Sequence, residues 1–159
     1  MSTWSGTLIL HNIRSVHNVG SIFRTANAAG ITEVILSGYT PTPVDRFNQP
    51  RRDFAKVSLG AEKTITWRHV KTIGPTLARL KKDGVHIIAI EQDTRAVSLF
   101  DYTLPTKNIA IVLGNEVRGI SPGTLNTCDT VLEIPMHGSK ESLNVSVAAG
   151  IALFTLFHS

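Results

Sequence analysis

Cysteine is almost missing from this chain of 159 residues, which carries only Cys128. One thiol can form no intramolecular disulfide and complete no thiolate cluster, so a disulfide-stapled scaffold and a cysteine-held zinc are excluded. His11, His17, His69, His86, His137 and His158 are scattered without metal-site spacing, and no metal is expected. Long apolar runs are missing as well. The richest stretch, Leu143 to Phe157, is broken by Asn144, Ser146, Gly150 and Thr155, short of the roughly 18–20 apolar residues that cross a bilayer. The opening residues MSTWSGTLIL offer neither a basic n-region nor a credible cleavage site. Together these absences predict a cytoplasmic protein with no membrane partner. Three signatures are also lacking: the Gly-x-x-x-x-Gly-Lys-Ser/Thr phosphate loop, the Gly-x-Gly-x-x-Gly dinucleotide fingerprint and the Gly-x-Ser-x-Gly nucleophile elbow.

What is present describes a globular α/β chain. A hydrophobic content of 42% against 18% charged residues is too apolar for disorder. The length suits one compact domain, so residues 1–159 are read as a single unit. Short runs rich in Ile, Val and Leu alternate with helical patterns, the rhythm of a parallel sheet covered by helices. The predicted strands are Thr7–Ile13, Glu33–Ser37, Val85–Ile90, Ile109–Leu113 and Val131–Pro135, with Thr64–His69 a strand or an extended segment. Helices are predicted over Asn18–Ala29, capped by Asn18 and closed by Gly30, over Thr72–Asp83, and over Ser142–Phe157 with Ser142 as N-cap. A short helix is expected over Phe54–Ala61, and Ser121-Pro122 opens another. Cys128 reads as a small buried hydrophobe.

Sixteen basic against twelve acidic side chains leave a net charge of +4, which makes an anionic partner plausible. Arg46, Arg51 and Arg52, with Lys56, cluster in or beside the Pro-bearing stretch Gly38–Asp53, read as a long loop that serves either solubility or RNA contact. Arg14 and Arg24 bracket the first strand-to-helix transition.

Ligands of open parallel sheets bind beyond the carboxyl ends of the strands. After the first strand, Asn18 and Arg24 stand at a helix start and its second turn, either as a cap and a surface arginine or as an anion-binding pair. After Ile109–Leu113 come Gly114, Asn115, Glu116 and Arg118, where Glu116 is either a functional carboxylate or half of a surface ion pair. After Val131–Pro135 come Met136, Gly138 and Ser139, then Ser142, Leu143 and Asn144.

These three segments are Asn18-Val-Gly-Ser-Ile-Phe-Arg24-Thr-Ala, Ile111-Val-Leu-Gly-Asn-Glu116-Val-Arg-Gly-Ile-Ser121 and Ile134-Pro-Met-His-Gly-Ser-Lys-Glu-Ser142-Leu-Asn144-Val-Ser-Val-Ala. In that order they resemble the SpoU (TrmH) branch of the SPOUT RNA methyltransferases over nearly the whole chain. The resemblance implies a mostly parallel sheet flanked by helices, with a C-terminal deep trefoil knot that no general topology rule would supply. It further implies S-adenosylmethionine as methyl donor, an RNA ribose 2′-hydroxyl as acceptor, and a homodimer whose subunits share the site. Gly114, Ile134, Met136 and Leu143 match the cofactor loops, and Arg24 matches the catalytic arginine, oriented with the ribose and cofactor by Asn18, Glu116, Ser142 and Asn144. Glu116 is expected to hold a guanidinium by two hydrogen bonds.

The donor's sulfonium already carries a good leaving group, so positioning, a proton route and water exclusion are the protein's tasks. A guanidinium gives up its proton with great difficulty. Arg24 is therefore either a strongly perturbed base or an electrostatic clamp on phosphate and developing alkoxide. With no added RNA-binding module before the first strand, RNA contact is expected from Arg14, Arg46, Arg51 and Arg52, from the dimer, or from a partner. Transfer RNA is favoured over ribosomal RNA on size alone. The alternative class is a catalytically silent RNA-binding or assembly protein of the same fold.

Overall fold

The computed structural model describes residues 4–158. Seven strands, β1 (Ser5–His11), β2 (Glu33–Ser37), β3 (Thr66–Val70), β4 (His86–Ile90), β5 (Val97–Ser98), β6 (Asn108–Leu113) and β7 (Thr130–Glu133), form one sheet. Their order is β3-β2-β1-β6-β4-β7-β5, and every pairing is parallel. Five α-helices connect them: α1 (Val16–Ala29), α2 (Arg52–Ser58), α3 (Ile73–Lys82), α4 (Pro122–Thr127) and α5 (Val145–Phe157). Because all strands run the same way, the loops that follow β1, β2, β4, β6 and β7 share one edge.

Strand alternation divides the core in two. Leu8 and Leu10 of β1, with Val34, Leu36, Ile109 and Ile111, pack against α1 and α5. Ile9, Ile35, Ala110 and Val112 face the opposite way, against Ile73 and Leu77 of α3 and Leu125 of α4. Buried on both faces, the central strands read as continuous apolar runs, as the sequence pattern required.

The predicted β2 matches residue for residue, while several ends move. The run Thr7–Ile13 ends early because Asn12 turns into the left-handed region at φ 55° and takes the chain out of the sheet. The last strand stops at Glu133 rather than Pro135. The expected Phe54–Ala61 helix starts at Arg52 and stops at Ser58, where Leu59 turns left-handed, and a 3-10 turn follows over Ala61–Lys63. β5, two residues long, has no sequence pattern to betray it.

Two predicted caps are corrected. The N-cap of α1 is Ser15, whose hydroxyl accepts from the Asn18 backbone N–H; Asn18 lies inside the helix and is buried. The N-cap of α5 is Asn144, whose side-chain oxygen accepts from the Ser146 N–H, so Ser142 lies outside the helix. Gly30 and Ser121 cap as expected. On the far side of α1, Phe23 meets Phe54 of α2 edge to face at 5.1 Å, both rings fully buried. Truncating Phe54 to alanine would cost about 3–5 kcal/mol, so the loop between β2 and α2 is firmly anchored at its far end.

Candidate active site

The loops after β4, β6 and β7 and the start of α5 line an open cleft of about 190 Å³. Gly114, Ile134, Met136 and Leu143, the residues assigned to the cofactor by resemblance, all line it. Glu116 and Ser142 line it too. The loop after β6 is tightly folded: a Cβ on Gly114 would sit 2.6 Å from Ile120 Cγ1 and 2.9 Å from the Gly119 carbonyl. Gly119, at φ 66°, lies against the Glu91 carboxylate, where any side chain would collide. Glu91 accepts from the Ile120 N–H at 2.8 Å and so fixes the far side of the turn. Sequence reasoning missed Glu91, although it stands immediately beyond buried β4, the same signal that singled out Glu116.

Three chain segments meet at the rim. The Glu116 carboxylate accepts from the backbone N–H groups of Arg14 and Ser15, both at 3.0 Å, and from Asn18 Nδ2 at 3.2 Å. Asn18 Oδ1 accepts from Asn144 Nδ2, also at 3.2 Å. A buried Asn18 thus bridges the start of α1 to both later motifs. Burial alone would raise the Glu116 pKa, yet these N–H donors outweigh it and hold the carboxyl below its ordinary value. A carboxylate is also well placed beside the first turn of a helix.

Glu116 therefore holds backbone amides and an amide side chain, not the guanidinium expected of it. Arg24 points elsewhere. It is exposed on α1 and lines a separate hollow with His17 of α1 and Asp53 and Lys56 of α2. Among the described residues it makes no hydrogen bond or ion pair, and none of Asn18, Glu116, Ser142 and Asn144 orients it within the chain. Ser142 is likewise without a hydrogen bond among the described residues.

The basic cluster is less free than its charge count suggested. Arg51 forms a two-point pair with Asp53, Nε to Oδ1 at 3.1 Å and Nη2 to Oδ2 at 2.8 Å. The hydrogen bond from Arg51 lowers the Asp53 pKa, and the same bond raises that of Arg51. Arg46 lies 4.8 Å over the Phe47 ring, and Arg52 is exposed at the start of α2. Arg14 sits 5.9 Å over Tyr39. Cys128 is partly buried, which pushes its thiol up to about 11 and leaves it protonated and inert at neutral pH. Among the described residues no helix is long and apolar enough to cross a membrane.

A cleft at the carboxyl edge of a fully parallel sheet, with asparagine and carboxylate groups knitted at its rim, defines an α/β ligand-binding domain. The particular family follows from comparison: residues 5–154 match the SpoU rRNA Methylase family, and the chain belongs to it. It is 40% identical over 151 residues to the 23S rRNA (guanosine-2'-O-)-methyltransferase RlmB of Ralstonia nicotianae, covering 92% of this chain and 56% of that protein. The corresponding protein of Coxiella burnetii is 39% identical over 149 residues, with the same coverage. Among solved structures, the S-adenosylmethionine-bound rRNA methyltransferase of Sinorhizobium meliloti superposes with a TM-score of 0.83 at 25% identity, over 95% of this chain and 55% of that one. The TrmH/SpoU tRNA modifying enzyme of A. aeolicus gives 0.82 at 27% identity, over 96% and 74%. The chain spans about half the length of the curated relatives it matches.

Proposed function

We propose that this protein transfers a methyl group from S-adenosylmethionine to a ribose 2′-hydroxyl of RNA. The observation that carries the reading is the Asn18–Glu116–Asn144 network at the rim of a cleft that Gly114, Ile134, Met136 and Leu143 line. That cleft suits the donor: apolar Ile134, Met136 and Leu143 can pack an adenine, while the turn at Gly114–Gly119 offers backbone groups for its polar edges. When bound, the donor supplies a methyl on a sulfonium, a leaving group that needs no further activation. Residues 1–159 act as one catalytic unit, with the knotted C-terminal path that the family resemblance implies.

The residues of this chain then divide the work. Glu116 and Asn18 hold the start of α1 against the cleft, and Asn144 fixes the entry into α5. Arg24 clamps an RNA phosphate and stabilises negative charge growing on the 2′-oxygen, while a phosphate oxygen or water takes the proton. Its separation from the cleft within one chain supports a site shared between two copies. Exposed Val147 and Phe154 on α5, 49% and 45% accessible, give such a homodimer an apolar face to bury. Arg14, Arg46 and Arg52 contribute backbone contacts to RNA, with Arg51 tempered by its Asp53 pair.

Ribosomal RNA is the substrate class. The preference for transfer RNA rested on size alone, whereas the curated relatives at 40% and 39% identity carry 23S rRNA in their names. Modification of ribosomal RNA also fits a cytoplasmic location. The test is incubation with methyl-labelled S-adenosylmethionine and either total ribosomal or total transfer RNA, followed by mass-spectrometric mapping of 2′-O-methyl sites. Label in ribosomal RNA is expected. Binding of RNA without binding of S-adenosylmethionine would instead establish the silent RNA-binding protein.

A further inference from the structure

The corner where β1, β2 and β6 leave the sheet carries an exposed aromatic ring that is unusually well fixed. Tyr39 is 53% accessible, yet the loops after β1 and β6 both hold it. Its backbone N–H donates to Asn12 Oδ1 at 3.2 Å, and its hydroxyl oxygen accepts from Asn115 Nδ2 at 3.0 Å. Asn115 Nδ2 also donates to the Asn12 carbonyl at 2.9 Å, closing the corner. The backbone is committed to this geometry: Asn12 and Gly38 both take left-handed conformations, φ 55° and 68°, and a Cβ on Gly38 would collide with Asn12 Oδ1.

Holding a large ring still in water gains little from burial and forfeits rotamer freedom. Such an arrangement is useful where a ligand will cover the ring, because the ordering is already complete before binding. The position fits that use. Asn115, which holds the ring, lines the cleft beside Glu116, so Tyr39 stands at the mouth of the proposed methyl-transfer site. The charge fits as well: the Arg14 guanidinium lies over the ring, and the same loop bears a second exposed ring, Phe47, with Arg46 above it. Phe47 is itself ordered, at the tip of a small hairpin closed by the Val44–Pro50 bridge and by hydrogen bonds from the Phe47 and Gln49 N–H groups to Asp45 Oδ1. Cation-capped rings suit an anionic strand with flat bases better than an apolar protein surface.

We propose that Tyr39 is a stacking platform for one unpaired nucleobase of single-stranded RNA, beside the target ribose, with Arg14 neutralising an adjoining phosphate. This rests on the methyltransferase reading for the location of the target, but binding can be measured without catalysis. Anisotropy titration of the full chain with a fluorescent single-stranded oligoadenylate, and with an abasic ribose-phosphate strand of equal length, separates base from backbone contacts. Tyr39→Ala is expected to weaken oligoadenylate binding about ten-fold, and Tyr39→Leu similarly, since an apolar side chain does not replace a π face. Tyr39→Phe keeps the ring and stays within about two-fold of wild type. The abasic strand binds wild type and Tyr39→Ala alike, and S-adenosylmethionine affinity is unchanged throughout.

Three results would overturn the proposal: oligoadenylate binding unaffected by Tyr39→Ala, an equal loss for the abasic strand, or a wild-type protein that binds no single-stranded RNA. An equal loss would mark Tyr39 as structural. Stacking that persists in a protein with no methyl transfer to any RNA would count against the methyltransferase reading while leaving the platform standing.

Discussion

The rim of the cleft and the hollow around Arg24 lie on the same helix and are built on opposite plans. At the rim, Asn18, Glu116 and Asn144 satisfy one another and the backbone, and the carboxylate is saturated with donors. In the hollow, Arg24 has no polar partner among the described residues, and Lys56 and His17 beside it are exposed. A satisfied network keeps its shape without a ligand, and an unpaired guanidinium waits for an anion. On the proposed dimeric reading, one chain completes the donor side of the site and leaves the acceptor side to RNA and a second copy.

The sharpest way to break this contrast is to delete the unfinished side. Arg24→Ala removes an exposed side chain with no polar partner among the described residues, so folding and S-adenosylmethionine affinity should be kept while methyl transfer falls below detection. Arg24→Lys should also be poor, because an ammonium lacks the planar two-point geometry. Near-normal turnover by Arg24→Ala would remove Arg24 from the mechanism.

A mixed dimer tests whether the two sides come from different subunits. Arg24→Ala and a cleft-side Asn144→Ala are each expected to be inactive. Co-refolded in equal amounts, they should recover about a quarter of wild-type activity, since random pairing makes half the dimers mixed, each with one intact site. No recovery, in a mixture that light scattering shows to be dimeric, would place Arg24 and the cleft in the same subunit. Phe154→Asp, which puts a charge on the exposed face of α5, should shift the scattering mass toward the monomer and lower activity with it.

The same contrast explains how much could be read from the sequence. The buried strands announce themselves because both faces are apolar, so β2 and most of the sheet were legible locally. The cap of α1 was not. Ser15 and Asn18 are both good capping residues three apart, and what draws Asn18 inside the helix is Glu116, 98 positions away. The role of Glu116 was inverted for the same reason: its partners are two backbone N–H groups and an amide, which no side-chain pairing rule anticipates. Arg24, by contrast, was singled out by motif alone, and its isolation from the cleft became visible only in three dimensions. Tyr39 had no signal of its own, because its holder Asn115 lies 76 positions away.

Acid sharpens the rim side. The donors around Glu116 depress its pKa in the folded state, so their stabilisation is fully present above the ordinary glutamate value near 4.3 and is lost as pH falls through the lower folded value. Because Glu116 is exposed at the rim, the contribution is about 1 kcal/mol. Glu116→Gln should lower the melting temperature by a few degrees at pH 7 and leave it unchanged relative to wild type near pH 2, where the wild-type carboxyl is protonated as well. An equal deficit at both pH values would mean that shape rather than charge holds the rim.

The smallest effect belongs to the loop after β2. Neutralising Arg46, Arg51 and Arg52 together would flatten the salt dependence of RNA binding by a slope of about 2 to 2.7 if all three met phosphates, at 0.7–0.9 per contact. The structure argues for less. Arg51 already faces Asp53 at 2.8 Å, so its charge is largely matched inside the protein and it releases few counterions from RNA. The triple variant is therefore expected to change the slope by about 1.4 to 1.8, with Arg51→Gln alone changing it little. Asp53→Asn is the informative partner: freeing Arg51 should steepen the salt dependence and tighten binding modestly at low salt. A slope unchanged in the triple variant would return these arginines to solubility. A large change from Arg51→Gln alone would show that RNA competes successfully with Asp53 for that guanidinium.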